Sequence, residues 1–364
     1  MKALILGKGK SGTAAAALLK AQGCEVDFAD GYDCVVVSPG LRTKSELQLG
    51  CEELKRRGWK LLAVTGSKGK SSVVKLVADA IGGVSCGNYG RPVTDLISEK
   101  PGWAVVEVSS FQLETTTLPP DTFEAAAILN LQEDHLDRHG SVEVYHGLKR
   151  KLLSFAALNF VNDGMSSDQR ANRPAEHLWT GSYFDNEILA GNAAIAVELM
   201  RVAGLDDAKI AAAFKAFKPL PHRMNTVAEI DGVRYIDDSK ATSIAALIAG
   251  VRMAFSGSRT IRLLAGGLPK GDDPKTALST LTERVKKVYL IGQSAEAFFA
   301  AWKDAVDCEI CGTMDRAVGT AMREAEMGET VLLSPGTASF DQFQSFGERG
   351  DVFARLIKEK GQPK

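Results

Sequence analysis

The sequence predicts an α/β protein of three domains, and three observations carry that expectation. Short apolar runs alternate with helical patterns almost throughout, the signature of parallel sheets flanked by helices. Two of these runs lead straight into glycine-rich loops followed by helical patterns, at Gly7–Gly12 and at Gly66–Ser71. The chain has 364 residues, more than one simple core accommodates.

The first run, Ala3–Leu6, precedes Gly7-Lys-Gly9-Lys-Ser11-Gly12, and Asp30 stands at the end of a second strand. Glycines first and an acid about 20 residues on match the dinucleotide fingerprint. Alone it reads as an NAD-linked oxidoreductase, and the same turn also occurs with no ligand. The domain stops near residue 58, however, about half of a full dinucleotide fold, which suits a single nucleotide-diphosphate group better. After the run Cys34–Val37, a boundary is expected at Gly58–Trp59.

The next run, Leu61–Val64, enters Thr65-Gly66-Ser67-Lys68-Gly69-Lys70-Ser71-Ser72, and a helical pattern follows from Ser72 to Ile81. Strand, glycine loop and helix N-terminus make an anion cradle, because backbone N–H groups and the helix dipole point at one place. Lys70 can reach outer phosphates and Ser71 can hold Mg²⁺. Val64 stands where the full phosphate-loop pattern has its first glycine, so an ordinary glycine turn fits the same letters. The runs Ala104–Val108 and Ala126–Leu129 end in Glu107-Val-Ser-Ser-Phe-Gln-Leu-Glu114 and Asn130-Leu-Gln-Glu-Asp134-His135-Leu-Asp137. Ligands gather at the carboxyl ends of strands in open α/β sheets, so Glu107 and His135 are expected beside the loop. Each alone is also an ordinary capping or surface residue.

Lys218-Pro219-Leu220-Pro221 breaks the helical pattern and marks the second boundary. Beyond it, Ile230-Asp231-Gly232-Val233 reads as a hairpin, and the runs Ile261–Leu264, Val288–Ile291 and Val331–Leu333 as strands. The expected domains are 1–59, 60–220 and 221–364. A net charge of -1 advertises neither a nucleic-acid nor a membrane partner. No apolar run approaches the roughly 20 residues of a membrane span, and Gly7–Lys10 ends the first apolar stretch too soon for a signal peptide. Six scattered cysteines suggest reduced thiols and a cytoplasmic protein. Cys308 and Cys311 form a C-x-x-C, but with no second pair they read as half-buried thiols rather than a zinc or redox site.

The phosphate loop, the Glu107–Glu114 and Asn130–Asp137 motifs, Pro221-His222-Arg223, Asp238-Ser-Lys240-Ala-Thr242 and Ser334-Pro-Gly-Thr-Ala-Ser-Phe-Asp-Gln-Phe343 resemble, in this order, the motifs of the Mur ligases. The likeness covers essentially the whole chain. It implies a truncated Rossmann-like N-terminal domain that binds a UDP-sugar, a central phosphate-loop ATPase-type domain with a parallel or mixed sheet, and a C-terminal Rossmann-like domain that brings an amino acid and closes over the site. The forms of the second and last motifs resemble the members that join D-glutamate to UDP-N-acetylmuramoyl-L-alanine; another amino-acid acceptor is the rival within the family, and a non-catalytic nucleotide-binding regulator the rival outside it.

The resemblance also implies roles. Lys70 contacts the β- and γ-phosphates of ATP within Gly66, Ser67, Lys68, Gly69, Ser71 and Ser72. Ser71 and Glu107 bind one Mg²⁺; His135 binds a second, with Lys149 as a carbamate. Asn88 lies near the transferred phosphate. Asn192 contacts adenine, and Arg223, Asp238 and Lys240 approach ATP. Ser11, Asp30 and Gly40 touch the uridine diphosphate. Thr242, Lys270, Ser339, the backbone around Phe340, and Phe346 hold D-glutamate. Without the resemblance, Lys149 reads as a helix-surface lysine and Lys270 as a solvated loop lysine. A monomer is expected. Two departures stand out: only Gly31–Asp33 separates Asp30 from the next strand, and Asn162–Asn192 is compact, with only Asn192 matching the family's helix start.

Overall fold

The computed structural model describes residues 2–6, 9–29, 44–162, 175–186, 188–255, 257 and 259–361. The run Cys34–Val37, Asp30, Gly40 and Gly7 therefore lie outside the described residues. The chain divides into two compact units, Met1–Phe217 and Lys218–Lys364.

Unit one opens with β1 (Lys2–Leu6), α1 (Lys10–Ala21) and β2 (Glu25–Ala29), a parallel strand pair joined by its helix. Next come α2 (Glu46–Arg56), β3 (Lys60–Thr65), α3 (Lys70–Ile81), β4 (Val84–Gly87) and β5 (Trp103–Glu107). They are followed by α4 (Ser110–Thr115), β6 (Phe123–Ile128), α5 (Leu136–His139), α6 (Val142–Lys151), β7 (Ala156–Val161), α7 (Ala190–Val202) and α8 (Asp207–Ala216). The second sheet of this unit is wholly parallel, in the order β4-β5-β3-β6-β7. Leu61 through Thr65 of the central strand are all buried, which is why the sequence there is a continuous apolar run rather than an alternating one.

Helix α2 precedes Gly58 but packs with the central sheet: Leu47, Cys51 and Leu54 share a core with Leu61, Ala63, Ala104 and Val106. It ends where Gly58, at φ 86, donates to the Lys55 carbonyl (3.0 Å) and Trp59 to that of Leu54 (3.1 Å). This is the left-handed glycine stop that turns a helix into the following strand.

Unit two contains β8 (Asn225–Ile230), β9 (Val233–Asp237), α9 (Ile244–Ala254), β10 (Ile261–Gly266), α10 (Leu278–Arg284) and β11 (Val285–Ile291). It continues with α11 (Ala295–Trp302), β12 (Asp307–Gly312), α12 (Met314–Glu324), β13 (Thr330–Leu333) and α13 (Phe346–Lys360). The sheet runs β12-β11-β10-β13-β9-β8, parallel except for β8, and is sandwiched between two apolar cores. The β8–β9 hairpin turns at Asp231 (φ 51) and Gly232 (φ 73). Both central residues are left-handed, the geometry whose twist matches paired strands and the reason for Asp-Gly there. Among the described residues no helix is long and apolar enough to cross a membrane.

Candidate active site

The glycine loop leaves the carboxyl end of the central strand β3 and enters α3 at Lys70, two residues earlier than the pattern suggested. Lys70 and Ser71 therefore stand in the first helical turn, whose N–H groups no helix carbonyl serves. Two glycines are required by close approach. Gly66 has φ 151 and a Cβ there would lie 3.0 Å from Leu129 Cβ; Gly69 caps the helix at φ 83, where a Cβ would meet Asn192 Nδ2 at 2.1 Å.

The loop is held from the neighbouring strand end. Lys68 N–H donates to Asn130 Oδ1 (2.8 Å), Asn130 Nδ2 donates back to the Lys68 carbonyl (3.0 Å), and Ser67 N–H donates to the Asn130 carbonyl (3.0 Å). Asn130 thus clamps the loop's main chain, and its Nδ2 also reaches Asn192 Oδ1 at 3.3 Å. Sequence reasoning placed Asn130 in a motif without giving it a task; an amide directly after a buried strand was the available signal. Buried Asn192 sits on α7 against Gly69, so the structure brings it to the loop. Lys70 Nζ donates to the carbonyls of Gly66 (2.8 Å) and Ser67 (3.3 Å).

Glu107 ends β5, paired with Val64 of β3, and is 2% exposed. Its Oε1 accepts from Asn88 Nδ2 at 2.7 Å, while Oε2 is buried without a hydrogen-bond partner. A buried carboxylate oxygen without a partner, at the end of the strand next to the one that enters the glycine loop, is what a hard cation would take up. Among the described residues no cluster of three His, Cys, Asp or Glu stands ready to hold a metal. The expected donors Ser71, Glu107, His135 and Lys149 include a hydroxyl and a modified lysine, and Glu107 Oε2 is the atom that argues for them.

Lys149 is not a surface lysine. Projecting from α6, it is 1% exposed, donates to the Gly66 carbonyl at 3.0 Å and lies 4.5 Å over the Tyr145 ring. Burial, and then the charge of Lys70, push its pKa down to about 7. Tyr145 donates to Ser67 Oγ at 3.1 Å, closing the floor of the loop. His135 is exposed, with φ 55; its N–H donates to Asp134 Oδ1 (3.1 Å), and Asp134 pairs with Lys68 (3.1 Å). Behind it buried His139 bonds Ser110 Oγ through Nε2 (3.0 Å) and faces Glu114 through Nδ1 (3.1 Å), tying α5 to α4. Ser11 lies in α1, apart from this loop in sequence and exposed.

In unit two, β9, β13 and β10 are adjacent and parallel. Their carboxyl ends bring Asp238, Ser334–Ser339 and Gly267–Lys270 to one edge. Asp238 is buried and accepts from Ser334 Oγ at 3.0 Å; burial pushes its carboxyl up to about 7. Lys240 Nζ lies 4.2 Å over the Phe346 ring. Leu268 and Ala338 bridge the loops after β10 and β13, so the segments carrying Lys270 and Ser339 are hydrogen-bonded to each other. Ser339 is buried, Thr242 and Arg223 partly exposed, and Lys270 and Phe340 exposed. His222 Nδ1 meets Asp237 Oδ2 at 2.7 Å, a pair the sequence did not announce. Cys308 and Cys311 are free thiols pushed up by burial, to about 12 and about 11, and so lack the thiolate character of a reactive pair.

Comparison with known proteins bears on both units. The description "Mur ligase middle domain" matches residues 64–182 and "Mur ligase, glutamate ligase domain" matches residues 222–336. A UDP-N-acetylmuramoylalanine–D-glutamate ligase of Francisella philomiragia is 33% identical over 361 residues, covering 90% of this chain and 86% of that protein. The enzyme of that name from Nitratidesulfovibrio vulgaris is 32% identical over 422 residues, covering 98% and 96%; an alignment longer than this chain means that the relative carries insertions which this chain lacks. In fold, the chain is similar to the crystal structure of a MurF ligase from Thermotoga maritima in complex with ADP, with TM-score 0.66, 16% identity, and coverage of 99% and 95%. With relatives at this identity reaching across both of its units, the chain belongs to the Mur ligase family, among the UDP-N-acetylmuramoylalanine–D-glutamate ligases.

Proposed function

We propose that this chain joins D-glutamate to UDP-N-acetylmuramoyl-L-alanine, driven by ATP and releasing ADP and phosphate, in peptidoglycan precursor synthesis in the cytoplasm. The observation that carries the reading is the identity to ligases of that name over about nine-tenths of the chain. The carboxyl-edge loops support it.

Amide formation from a carboxylate is uphill in water, so the carboxylate is first activated. The loop Gly66–Ser72 would cradle the phosphates on its N–H groups, with Lys70 offsetting γ-phosphate charge. Ser71 and Glu107 would hold one Mg²⁺, and His135 and carbamylated Lys149 a second; bound there, the ions spread phosphate charge. The substrate carboxylate oxygen attacks the γ-phosphorus, the bond to ADP breaks, and an acyl phosphate forms. Asn88, whose Nδ2 donates to Glu107, would contact that carboxylate. The amine of D-glutamate then attacks the acyl carbon; phosphate leaves and the nitrogen loses a proton. Asp238, Lys240, Arg223 and Asn192 are assigned to the nucleotide. Thr242, Lys270, Ser339, Phe340 and Phe346 are assigned to D-glutamate, and Ser11 to the uridine diphosphate.

Lys149 has the chemistry for a carbamate. At a pKa of about 7, much of it is the neutral amine at neutral pH. That amine attacks CO₂, an N–C bond forms, a proton leaves, and the product is an anionic oxygen donor of the kind Mg²⁺ prefers.

The test is phosphate release from ATP measured with each acceptor amino acid in turn. Release that requires both the UDP-sugar and D-glutamate is expected. Release with L-lysine or diaminopimelate in place of D-glutamate would keep the ligase class and remove the acceptor.

A further inference from the structure

Among the described residues of unit two, Arg349 is the most deeply buried cation, at 0% exposure. It sits in the first turns of α13, where the helix N-terminus is already positive, an unfavourable place for a cation. Its hydrogen-bond partners are all neutral oxygens, and the carboxylates of Asp341 and Asp237 favour its charge only from a distance. Nε donates to Ser239 Oγ (3.0 Å), Nη2 to the carbonyls of Ser239 (2.9 Å) and Thr337 (3.1 Å), and Nη1 to that of Ala338 (3.2 Å). Burial lowers its pKa to about 10. A guanidinium kept dry without a hydrogen-bonded carboxylate is costly, and replacement by an apolar side chain is the usual cheaper solution.

What the cation gains is geometric. Ser239 lies between Asp238 and Lys240 on the loop after β9. Thr337 and Ala338 immediately precede Ser339 on the loop after β13. Gly267 begins the loop that carries Lys270, and a Cβ there would lie 3.2 Å from Arg349 Nη1. The Ala338 carbonyl also accepts from Leu268 N–H at 2.9 Å, so one oxygen joins two loops and the guanidinium. Gly350 lets the helix close to this depth, since a Cβ there would meet His222 Nδ1 at 2.2 Å. Only a planar fork with five donors spans four acceptors on two loops while lying against a third.

We propose that Arg349 is a positioning residue that sets the three carboxyl-edge loops of unit two in register for the acceptor amino acid. The inference rests on the reading that Thr242, Lys270 and Ser339 hold D-glutamate. Arg349 itself touches no substrate; it acts by fixing Ser239, Thr337 and Ala338.

The experiment measures KM for the acceptor and kcat in the full chain for wild type, Arg349→Lys, Ser239→Ala and Leu356→Ala. Arg349→Lys keeps the charge and loses the fork. Ser239→Ala removes one acceptor and leaves the guanidinium in place. Leu356→Ala truncates a buried residue on the same helix away from these loops and reports what destabilisation alone does. A positioning role predicts an acceptor KM raised at least about tenfold in Arg349→Lys, the scale of one lost charged hydrogen bond. A smaller rise in Ser239→Ala and an unchanged KM in Leu356→Ala are also expected. An acceptor KM within twofold of wild type in folded Arg349→Lys overturns the proposal. If Arg349→Lys does not fold, Ser239→Ala decides in the same way: a raised KM supports the proposal and an unchanged one overturns it. Wild type is assayed first: if it uses another amino acid, the acceptor reading fails separately, and KM for that amino acid takes the place of D-glutamate.

Discussion

Substituting Lys149 by methionine should make the folded protein more stable at pH 6 and far less so at pH 9. The side chain is 1% exposed, and its pKa falls from 10.5 to about 7 on folding. The unfolded chain therefore binds this proton more tightly. In the window from about 7 to 10.5 the unfolded state holds more protons than the native state, so stability rises with pH. Below that window the wild type carries the whole cost of burying the charge. At about 1.36 kcal/mol per pH unit, the wild type should recover about 2–3 kcal/mol relative to Lys149→Met between pH 6 and pH 9. Urea unfolding of both proteins in CO₂-free buffer at the two pH values measures this. A difference between the proteins that does not change with pH would refute the argument, because it would mean that Lys149 keeps its proton in the fold. The same amine should take up CO₂: with ¹³C-labelled bicarbonate the wild type should show a carbamate carbon resonance that Lys149→Met lacks, and Lys149→Arg should be inactive.

Lys70→Ala should lower phosphate release about 100- to 1,000-fold with the melting temperature little changed, the usual loss for one charge-stabilising donor; near-normal turnover would remove the loop as the ATP site. Lys270→Ala should raise the Michaelis constant for D-glutamate about 30-fold, or about 2 kcal/mol, and leave that for ATP nearly unchanged. Lys270 is exposed, so solvent screening keeps the loss from being larger; equal loss for both substrates would place Lys270 elsewhere. Gly69→Ala should destabilise by about 1–3 kcal/mol, through a left-handed alanine at φ 83 whose Cβ meets Asn192 Nδ2 at 2.1 Å. Adding Asn192→Ala should recover part of that loss in thermal unfolding, and no recovery would mean that the amide is not the obstacle.

The elements that decide the topology were legible because their signals are local. A fully buried parallel strand is mostly apolar on both faces, so Leu61–Val64 and Val331–Leu333 stand out as runs, and Ile261–Leu264 does so despite Arg262, which is buried in an ion pair with Glu329. Asp231-Gly232 marked the hairpin because a two-residue turn with both central residues left-handed favours Asp-Gly. Other strands escaped notice. In β7, Ala157, Leu158 and Asn159 are exposed, and in β12 Asp307 is exposed and Cys308 only half-buried, so neither edge strand has a full apolar run to display. The helix α2 shows the limit of reading boundaries from glycine: Gly58 ends a helix, and that helix packs in the core of the strand that follows.

The site was legible where chemistry follows main-chain geometry and hidden where it depends on burial. Gly66, Gly69 and Glu107 could be placed because a glycine loop after a strand and a carboxylate at a strand end have defined positions. Nothing local to Lys149 or Arg349 tells that either is dry: each stands in a helix with a polar face, where a cation normally reaches water. Burial comes from the layer that covers the helix, information carried by residues far away in sequence. The two hidden side chains nevertheless act alike on their loops. Lys149 donates to the Gly66 carbonyl, and Arg349 donates to those of Ser239, Thr337 and Ala338. Carbonyl oxygens that face an incoming phosphate or carboxylate repel it, and an N–H donor beneath the loop turns them inward. That task needs the donor and not a charge: Lys149 keeps an N–H as an amine or as a carbamate, and Arg349 keeps its guanidinium. An apolar replacement of either removes the donor, so one that stabilises the fold should still weaken anion binding by the unit that carries it.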